Sequence, residues 1–274
     1  MLKDHLKRIT VIIKDYVREK RKQALENDNM SMIQIDWAEN GTITLPNEVQ
    51  SGYFGGRVNF SLHTGYEYSK SKSGGFVSLS DENNHRAEAI FAALEPKIKE
   101  LSERAIQELV IVSDSPVSQY RNGKLAYLTS TWAQRYGMKI NWIFTESGHG
   151  KSVADGIGGL VKNLVAQKVL MEPDVVMSNV REIKENIQTN CEISLHDKDD
   201  IKQVQKLLPK KIGQLPGATK IHELVFEIDG RILKKNLPDE NSYKQVLIKL
   251  GRFPARPDLN EAILEPDDLD DLDE

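Results

Sequence analysis

Three aspartates are the residues of this chain whose types and positions best fit catalytic chemistry: Asp36, Asp114 and Asp155. The first two follow apolar runs, at 30–35 and at 109–113, and the third lies in the first turn of a segment with helical spacing. If the two runs are neighbouring parallel strands, their carboxylates emerge at one edge of the sheet. Like charges that close repel each other unless cations lie between them.

The three carboxylates therefore predict a site for two Mg²⁺ or Mn²⁺ ions. Two such ions about 3.5–4 Å apart activate a water molecule and stabilise the leaving oxygen in phosphodiester cleavage. Each aspartate also has a structural alternative: Asp36 suits a turn, Asp114 suits the N-cap of the helix that follows, and Asp155 suits a helix N-terminus because of the helix dipole.

The glycine-rich stretch TESGHGKS, at 145–152, is the second candidate for chemistry. Its ending matches the phosphate-binding loop GxxxxGK[ST], but Thr145 occupies the position of the first glycine. The stretch also follows the fifth apolar strand, downstream of both aspartate-terminated strands, so we expect no nucleotide cofactor. Instead, Lys151 would contact a DNA phosphate and His149 would orient water or substrate, with a plain surface loop as the alternative.

Other side chains near the aspartates are candidates for accessory contacts. Arg121 and Gln119 would line a groove for DNA, and Glu39 would be an outer metal ligand; solvated surface is the alternative for each. Three glycines between 156 and 159 fall early in a predicted helix, where each costs about 1 kcal/mol relative to alanine. That cost indicates a close approach of the helix to the sheet or to DNA.

The elements that position these residues follow from apolar periodicity. Strands are predicted at 30–36, 57–68, 76–79, 109–114 and 139–144, and helices at 2–26, 84–104, 116–136 and 152–170. The first three strands form an antiparallel meander and the last two run parallel to the first. This predicts an α/β fold with a mixed five-stranded sheet in the order 3-2-1-4-5, flanked by helices.

Composition divides the chain into four predicted units: a basic amphipathic helix at 1–28, a core at 29–171, a small α+β appendage at 172–250 and a disordered tail at 251–274. The net charge of −4 conceals nine acidic and no basic residues from position 258 onward, which leaves 37 basic and 32 acidic residues before it. A regulator that mimics DNA is the alternative for this tail. A lone cysteine fits a reducing compartment, and no apolar run approaches the roughly 18 residues of a membrane span.

The same residues carry a resemblance to a known superfamily. Asp36, Asp114 and Asp155, with 40 residues between the last two, resemble the D-D-E/D triad of RNase H-like transposases and retroviral integrases. The segment 152–162 is similar to the integrase helix that bears the third acid, including Lys162 seven residues on. Four blocks are similar to transposon-derived proteins of invertebrate genomes: DWAEN, NEVQ, SDSPVSQYRN and ESGHGKSVADGIGGLVKN, with a weaker similarity at 212–235.

The resemblance implies an RNase H-like catalytic core that hydrolyses a DNA phosphodiester bond with two ions and joins the freed 3′-hydroxyl to a target strand. It implies transposon-end and target DNA as partners, a nuclear location, a second copy of the chain as a further candidate partner, and a DNA-phosphate contact for Lys162. Glu146 competes with Asp155 as third ligand, and Asp155 is preferred because a helix carries that ligand in this architecture. The alternative function is a domesticated DNA-binding or complex-assembly protein without turnover.

Overall fold

The computed structural model describes residues 2–43, 58–116, 119–145, 152–172, 174–175 and 177–250. The helices are α1 Leu2–Glu26, α2 Ala87–Glu103, α3 Gly123–Arg135, α4 Val153–Met171, α5 Val180–Asn186 and α6 Lys198–Leu207. The strands are β1 Met30–Ile43, β2 Val58–Tyr68, β3 Gly74–Ser80, β4 Glu108–Ser113, β5 Lys139–Phe144, β6 Glu192–Leu195, β7 Glu223–Phe226, β8 Ile232–Lys235 and β9 Lys244–Val246. Within these ranges, none of the helices combines the length and the apolar character that a membrane crossing requires.

The described strands form one mixed sheet of nine strands in the order β6-β3-β2-β1-β4-β5-β7-β8-β9. β1, β4 and β5 are mutually parallel, whereas β2 is antiparallel to both of its neighbours, β1 and β3. The prediction of an α/β fold with a mixed sheet flanked by helices is confirmed. The five predicted strands lie side by side at the centre of the sheet. The sheet has nine strands, however, and not the five that the sequence predicts.

Residues that we predicted as a separate C-terminal appendage supply the remaining strands of the same sheet. β6 pairs in parallel with β3, and β7 pairs antiparallel with β5, so both edges of the five-stranded centre are covered. An uncovered strand edge leaves backbone N–H and C=O groups unpaired, and these late segments of the chain pair with both edges. The fully buried Glu223 of β7 also accepts hydrogen bonds from Tyr16 of α1 at 2.8 Å and from Tyr243 at 3.3 Å.

Side chains alternate between the two faces of the sheet, and each face is covered by different helices. Ile33 and Ile35 of β1 pack in a cluster with residues of α2, α3 and α6. On the opposite face, Met30 and Met32 pack beneath α1, and the β2 residue Leu62 packs beneath α4. Asp36 of β1 and Asp114, which directly follows β4, therefore belong to a sheet that is covered on both faces.

Two helix boundaries differ from those the sequence predicts. α2 begins at Ala87 rather than at 84, and it contains Pro96 without interruption. α3 begins at Gly123 rather than after Ser115, because the Asn122 side chain accepts a hydrogen bond from the Leu125 N–H and caps the helix there. α3 is therefore capped by Asn122 and not by Asp114, which answers the N-cap alternative for this helix.

Candidate active site

Strand register places Asp36 and Asp114 at the same level of the sheet. The parallel pairing of β1 with β4 runs from Met30 opposite Glu108 to Gln34 opposite Val112. Each aspartate follows two residues after the last member of this pairing, so both side chains emerge on the same face. We predicted that a strand ends at Asp36; instead β1 continues to Ile43, held by its pairing with β2, and only its contact with β4 ends there.

Helix α4 carries Asp155 to the same place. α4 approaches the sheet closely at Gly158, where an added Cβ would lie 2.6 Å from the Cβ of Ala38 in β1. The carboxyl group of Asp155 lies close enough to that of Asp36 to raise the pKa of Asp36 through both hydrogen bonding and charge. The structure thus brings together all three aspartates that the sequence singled out. Of the three glycines of this helix, Gly158 meets the predicted close approach to the sheet, whereas Gly156 and Gly159 have no neighbour within 4 Å.

Electrostatic repulsion and burial change the protonation of these carboxyl groups. Burial raises the pKa of Asp36 to about 7, and the hydrogen bond with Asp155 and the charges of Asp114 and Asp155 act in the same direction. The pKa of Asp114 is also raised, by burial and by the charge of Asp155, against the opposing charge of Arg121. Because the pKa of Asp36 is raised to about 7, the Asp36 carboxyl group is protonated in part of the molecules near neutral pH.

The chemistry of the donors fits a divalent cation, although their arrangement here is not a closed coordination shell. Asp114 Oδ1 is buried and has no hydrogen-bond partner in the part of the chain that the structure describes. Asp155 Oδ2 accepts the backbone N–H of Ser152 in a capping box, which leaves its second oxygen for other contacts. Carboxylate oxygens are the ligands that Mg²⁺ prefers. Across the described ranges, no group of three or more His, Cys, Asp or Glu side chains is already placed to hold a metal ion.

Tyr120 is a residue of this site that the sequence did not single out for a role of its own. Its side chain is fully buried, and burial together with the charges of Asp36 and Asp114 raises the pKa of its hydroxyl group. The hydroxyl lies 3.3 Å from Nε2 of His63, which is also fully buried. Tyr120 thus connects the two aspartates to a polar cluster on the other face of the sheet.

This polar cluster, the histidine cluster, consists of His63, His85 and His196 around Trp37. The Trp37 ring stacks on His85 at 4.4 Å between centroids and meets the edge of His63 at 4.8 Å. Nδ1 of His196 lies 2.8 Å from the Ser78 hydroxyl. One ring nitrogen of each histidine and the Trp37 indole N–H are buried without a partner in the described structure. The cluster is therefore polar yet incompletely hydrogen-bonded, which is costly in a protein interior.

The histidine cluster predicts a loss of stability in mild acid. Burial lowers the pKa of His63 to about 3 and that of His196 to about 4, so both stay neutral in the folded chain, whereas the unfolded chain takes up protons near pH 6.5. We expect the free energy of unfolding to fall as the pH drops below about 6.5, by up to about 1.4 kcal/mol per pH unit for each histidine. Urea denaturation between pH 7.5 and 5 measures this slope.

The matched variant for this prediction is His63→Leu. It loses the hydrogen bond with Tyr120 and is expected to be less stable at every pH, but to show a shallower slope below pH 6.5. Comparing the two slopes cancels the contribution of the carboxyl groups, which are common to both proteins. Equal slopes in the two proteins would contradict the assignment of the acid sensitivity to His63.

Two of the predicted accessory residues, Arg121 and Lys162, donate hydrogen bonds to backbone oxygens. Arg121 is buried at 7% exposure, and its guanidinium group donates to the backbone oxygens of Ser115 at 2.9 Å and Ile221 at 3.1 Å. The described contacts of Arg121 are thus with backbone carbonyl groups, and its predicted place in a DNA groove stays a prediction. Lys162 donates to the backbone oxygen of Glu39 at 3.3 Å.

The remaining predicted residues have no tested role. Gln119 is half-buried in a turn, with its N–H bonded to the Pro116 oxygen at 3.1 Å. Glu146, His149 and Lys151 lie outside the described residues.

Comparison with known proteins yields one family match. No curated protein and no solved structure matches the chain. The family model that does match covers residues 14–237, which include the three aspartates and run through both the predicted core and most of the predicted appendage. Because this match spans most of the 274 residues, the chain belongs to the family described as a domain of unknown function, DUF8701.

Proposed function

We propose that this chain is a metal-dependent DNA nuclease and strand-transfer protein with an RNase H-like core, of the transposase and integrase kind. The observation that carries the proposal is the convergence of Asp36, Asp114 and Asp155 from β1, β4 and α4. These carboxyl groups are far apart in sequence and destabilise one another electrostatically without a cation. A cluster of perturbed carboxyl groups on a rigid sheet is more typical of a functional site than of a structural one.

The sheet supports the finer assignment of the fold. Its centre has the order β3-β2-β1-β4-β5, with β2 antiparallel to its neighbours, and α4 packs across β1 and β2 after β5. This is the arrangement that an RNase H-like core requires to bring two strand residues and one helix residue together. The additional strands at both edges leave that centre intact.

In the proposed reaction, Asp36, Asp114 and Asp155 would hold two Mg²⁺ or Mn²⁺ ions. Bound ions of this type supply an activated water molecule and stabilise the leaving oxygen. Asp36 gives up its proton when cations bind, so metal affinity rises as the pH increases through about 7. Arg121 positions the site, because it ties the backbone next to Asp114 to the segment around Ile221.

The proposal predicts divalent-ion binding and nicking of DNA. We expect isothermal titration calorimetry to find two Mn²⁺ ions per chain at pH 8 and weaker binding at pH 6, because protons compete for Asp36 at the lower pH. We expect supercoiled plasmid to be converted to the nicked form with Mn²⁺ and not with EDTA. The nicking should be lost when the same fractions are assayed at pH 6 and restored on return to pH 8.

A second candidate function is a DNA-binding or assembly protein of the same descent without turnover. It is favoured by the finding that the described residues hold no preformed group of metal ligands. This candidate predicts DNA binding that is indifferent to EDTA, no saturable Mn²⁺ binding at millimolar concentrations and no nicking. The calorimetric titration separates the two functions before any substrate sequence is known.

A further inference from the structure

A group of exposed lysines forms one surface at the end of the described chain. Between Asp200 and Glu223 the sequence holds five lysines and no acidic residue. We define the lysine surface by exposed lysines that form no ion pair in the described structure: Lys206, Lys210, Lys211, Lys220, Lys244 and Lys249. Unpaired cations at this density attract a polyanion.

Backbone contacts bring distant parts of the lysine surface together. Ile212 forms an isolated bridge with Leu250, and the Gly213 N–H donates to the Lys249 oxygen at 2.7 Å. These contacts place the segment at 210–211 beside the end of the described chain. In the β8–β9 pair, Lys244 also lies directly opposite Lys234, and like charges in that position destabilise a sheet unless an anion offsets them.

The lysine surface borders the candidate active site. The Arg121 guanidinium donates hydrogen bonds to the backbone oxygens of Thr219 and Ile221, which flank Lys220. It also donates to the backbone oxygen of Ser115, the residue after Asp114. An anion that occupies Lys220 is therefore close to the backbone that carries Asp114. Occupancy of the lysine surface would consequently control access of a charged polymer to the three carboxylates.

We propose that the acidic segment 258–274 of the same chain docks on the lysine surface. This segment carries nine acidic residues and no basic one, so its charge is complementary to the surface. The described chain ends at Leu250, within the surface, and seven residues lie between Leu250 and Asp258, so the two are at most about 29 Å apart. A tether that short holds the segment at an effective concentration of the order of millimolar, enough for weak electrostatic docking.

Docking of the acidic segment does not require that the protein binds DNA. The docking depends only on charge and chain connectivity. Its consequence, competition between the acidic segment and nucleic acid for the same lysines, rests on the proposed function. The segment would then act as an internal competitor that lowers non-specific DNA binding, since such binding depends on contacts between lysines and phosphates.

Carbodiimide cross-linking of the full chain tests the docking, because this reagent joins a carboxylate to a lysine only when the two are in contact. We expect cross-links from carboxylates of 258–274 to Lys206, Lys210, Lys211 or Lys249, identified by mass spectrometry. Mixing ¹⁴N- and ¹⁵N-labelled protein should show them within one chain. Their yield should fall at least fivefold from 50 to 500 mM NaCl, because salt shortens the range of electrostatic attraction.

A charge-reversal pair provides the control. Lys210→Glu/Lys211→Glu should reduce cross-linking of the acidic segment at least threefold, whereas Lys184→Glu should leave it unchanged. Lys184 is an exposed lysine on α5, the helix before the strand β6 at the opposite edge of the sheet. Cross-links spread evenly over all exposed lysines, or found only between different chains, would overturn the docking.

Competition between the acidic segment and DNA is tested with duplex DNA. Random-sequence duplex DNA in excess should displace the cross-links, and a full chain whose nine tail acids are replaced by Asn and Gln should bind that DNA at least tenfold more tightly at 50 mM salt. If cross-links form but DNA neither displaces them nor binds more tightly, docking stands and competition for nucleic acid is refuted. If the cross-links form as expected but the full chain shows no Mn²⁺-dependent nicking of plasmid, the proposed function is refuted and the docking is not.

Discussion

Replacing Asp36 by asparagine is expected to abolish Mn²⁺-dependent nicking while making the ion-free protein more stable at pH 8. Asp36 interacts with both other carboxyl groups, so the substitution removes the shared ligand of the site. We expect the nicking rate to fall by more than about 100-fold, since losing even an outer partner of a metal ligand costs about 10- to 100-fold. Plasmid nicking with Mn²⁺ and urea denaturation with EDTA measure the two effects.

The gain in stability follows from the direction of the pKa shift. The folded-state pKa of Asp36 is about 7, above the ordinary value of 3.8, so the folded chain binds this proton more tightly than the unfolded chain. The stability that Asp36 contributes is present at pH 4 and is lost as the pH rises through about 7. Asparagine does not ionise, so the advantage of Asp36→Asn over the natural chain should grow from pH 5 to pH 8.

Divalent ions should reverse this order of stability. Mg²⁺ at 100 times its dissociation constant is expected to stabilise the natural chain by about 2.7 kcal/mol and to have little effect on Asp36→Asn. Asp239→Asn, at an exposed aspartate, serves as the matched control and should change neither nicking nor stability. An Asp36→Asn protein that is less stable than the natural chain at pH 8 in EDTA would contradict the repulsion between these carboxyl groups.

Replacing Gly158 by alanine is expected to damage the site from a distance. The new Cβ would lie 2.6 Å from the Cβ of Ala38, which has no flexible end to move, so α4 must shift away from β1. Overpacking of this kind costs about 1–3 kcal/mol, partly offset by about 1 kcal/mol of helix propensity. Because α4 carries Asp155, we also expect nicking to fall by about 100-fold for a displacement of about 1 Å.

The neighbouring glycine offers a close control. Gly159→Ala adds the same methyl group to the same helix, but within the described part of the chain no atom lies within 4 Å of the new Cβ. We expect it to raise stability by up to about 1 kcal/mol and to leave Mn²⁺ binding unchanged. If both variants lose nicking equally while Gly159→Ala keeps full stability, the contact of Gly158 with Ala38 is not what positions Asp155. Thermal unfolding, calorimetry and nicking assays on both variants make the comparison.

The candidate site could be predicted from the sequence because its parts follow local rules. The apolar runs before Asp36 and Asp114 and the helix start at Asp155 are all visible in short windows, and parallel strands bring the first two to one edge. The partners of the short strands β6 to β9 could not be predicted, because a segment of three or four residues does not reveal which distant edge it pairs with. The buried position of Arg121 could not be predicted for the same reason, since its partner Ile221 lies 100 residues away.

The histidine cluster shows a second limit of sequence reasoning. His63, His85 and His196 have no spacing that predicts an association, and they meet because β2 places His63 opposite Trp37 while the other two belong to distant segments. An alternating pattern shows which face a residue occupies, but not which residues from other parts of the chain share that face. The cluster became visible only through tertiary contacts.

The closure of both sheet edges by late segments has a consequence during synthesis. While a ribosome is still making residues beyond 190, β3 and β5 have been completed but lack their outer neighbours, β6 and β7. The nascent polypeptide therefore exposes two ready templates for pairing with other chains. Pairing across such long separations is intrinsically slow, so newly made molecules pass through an aggregation-prone interval that assisted folding would shorten.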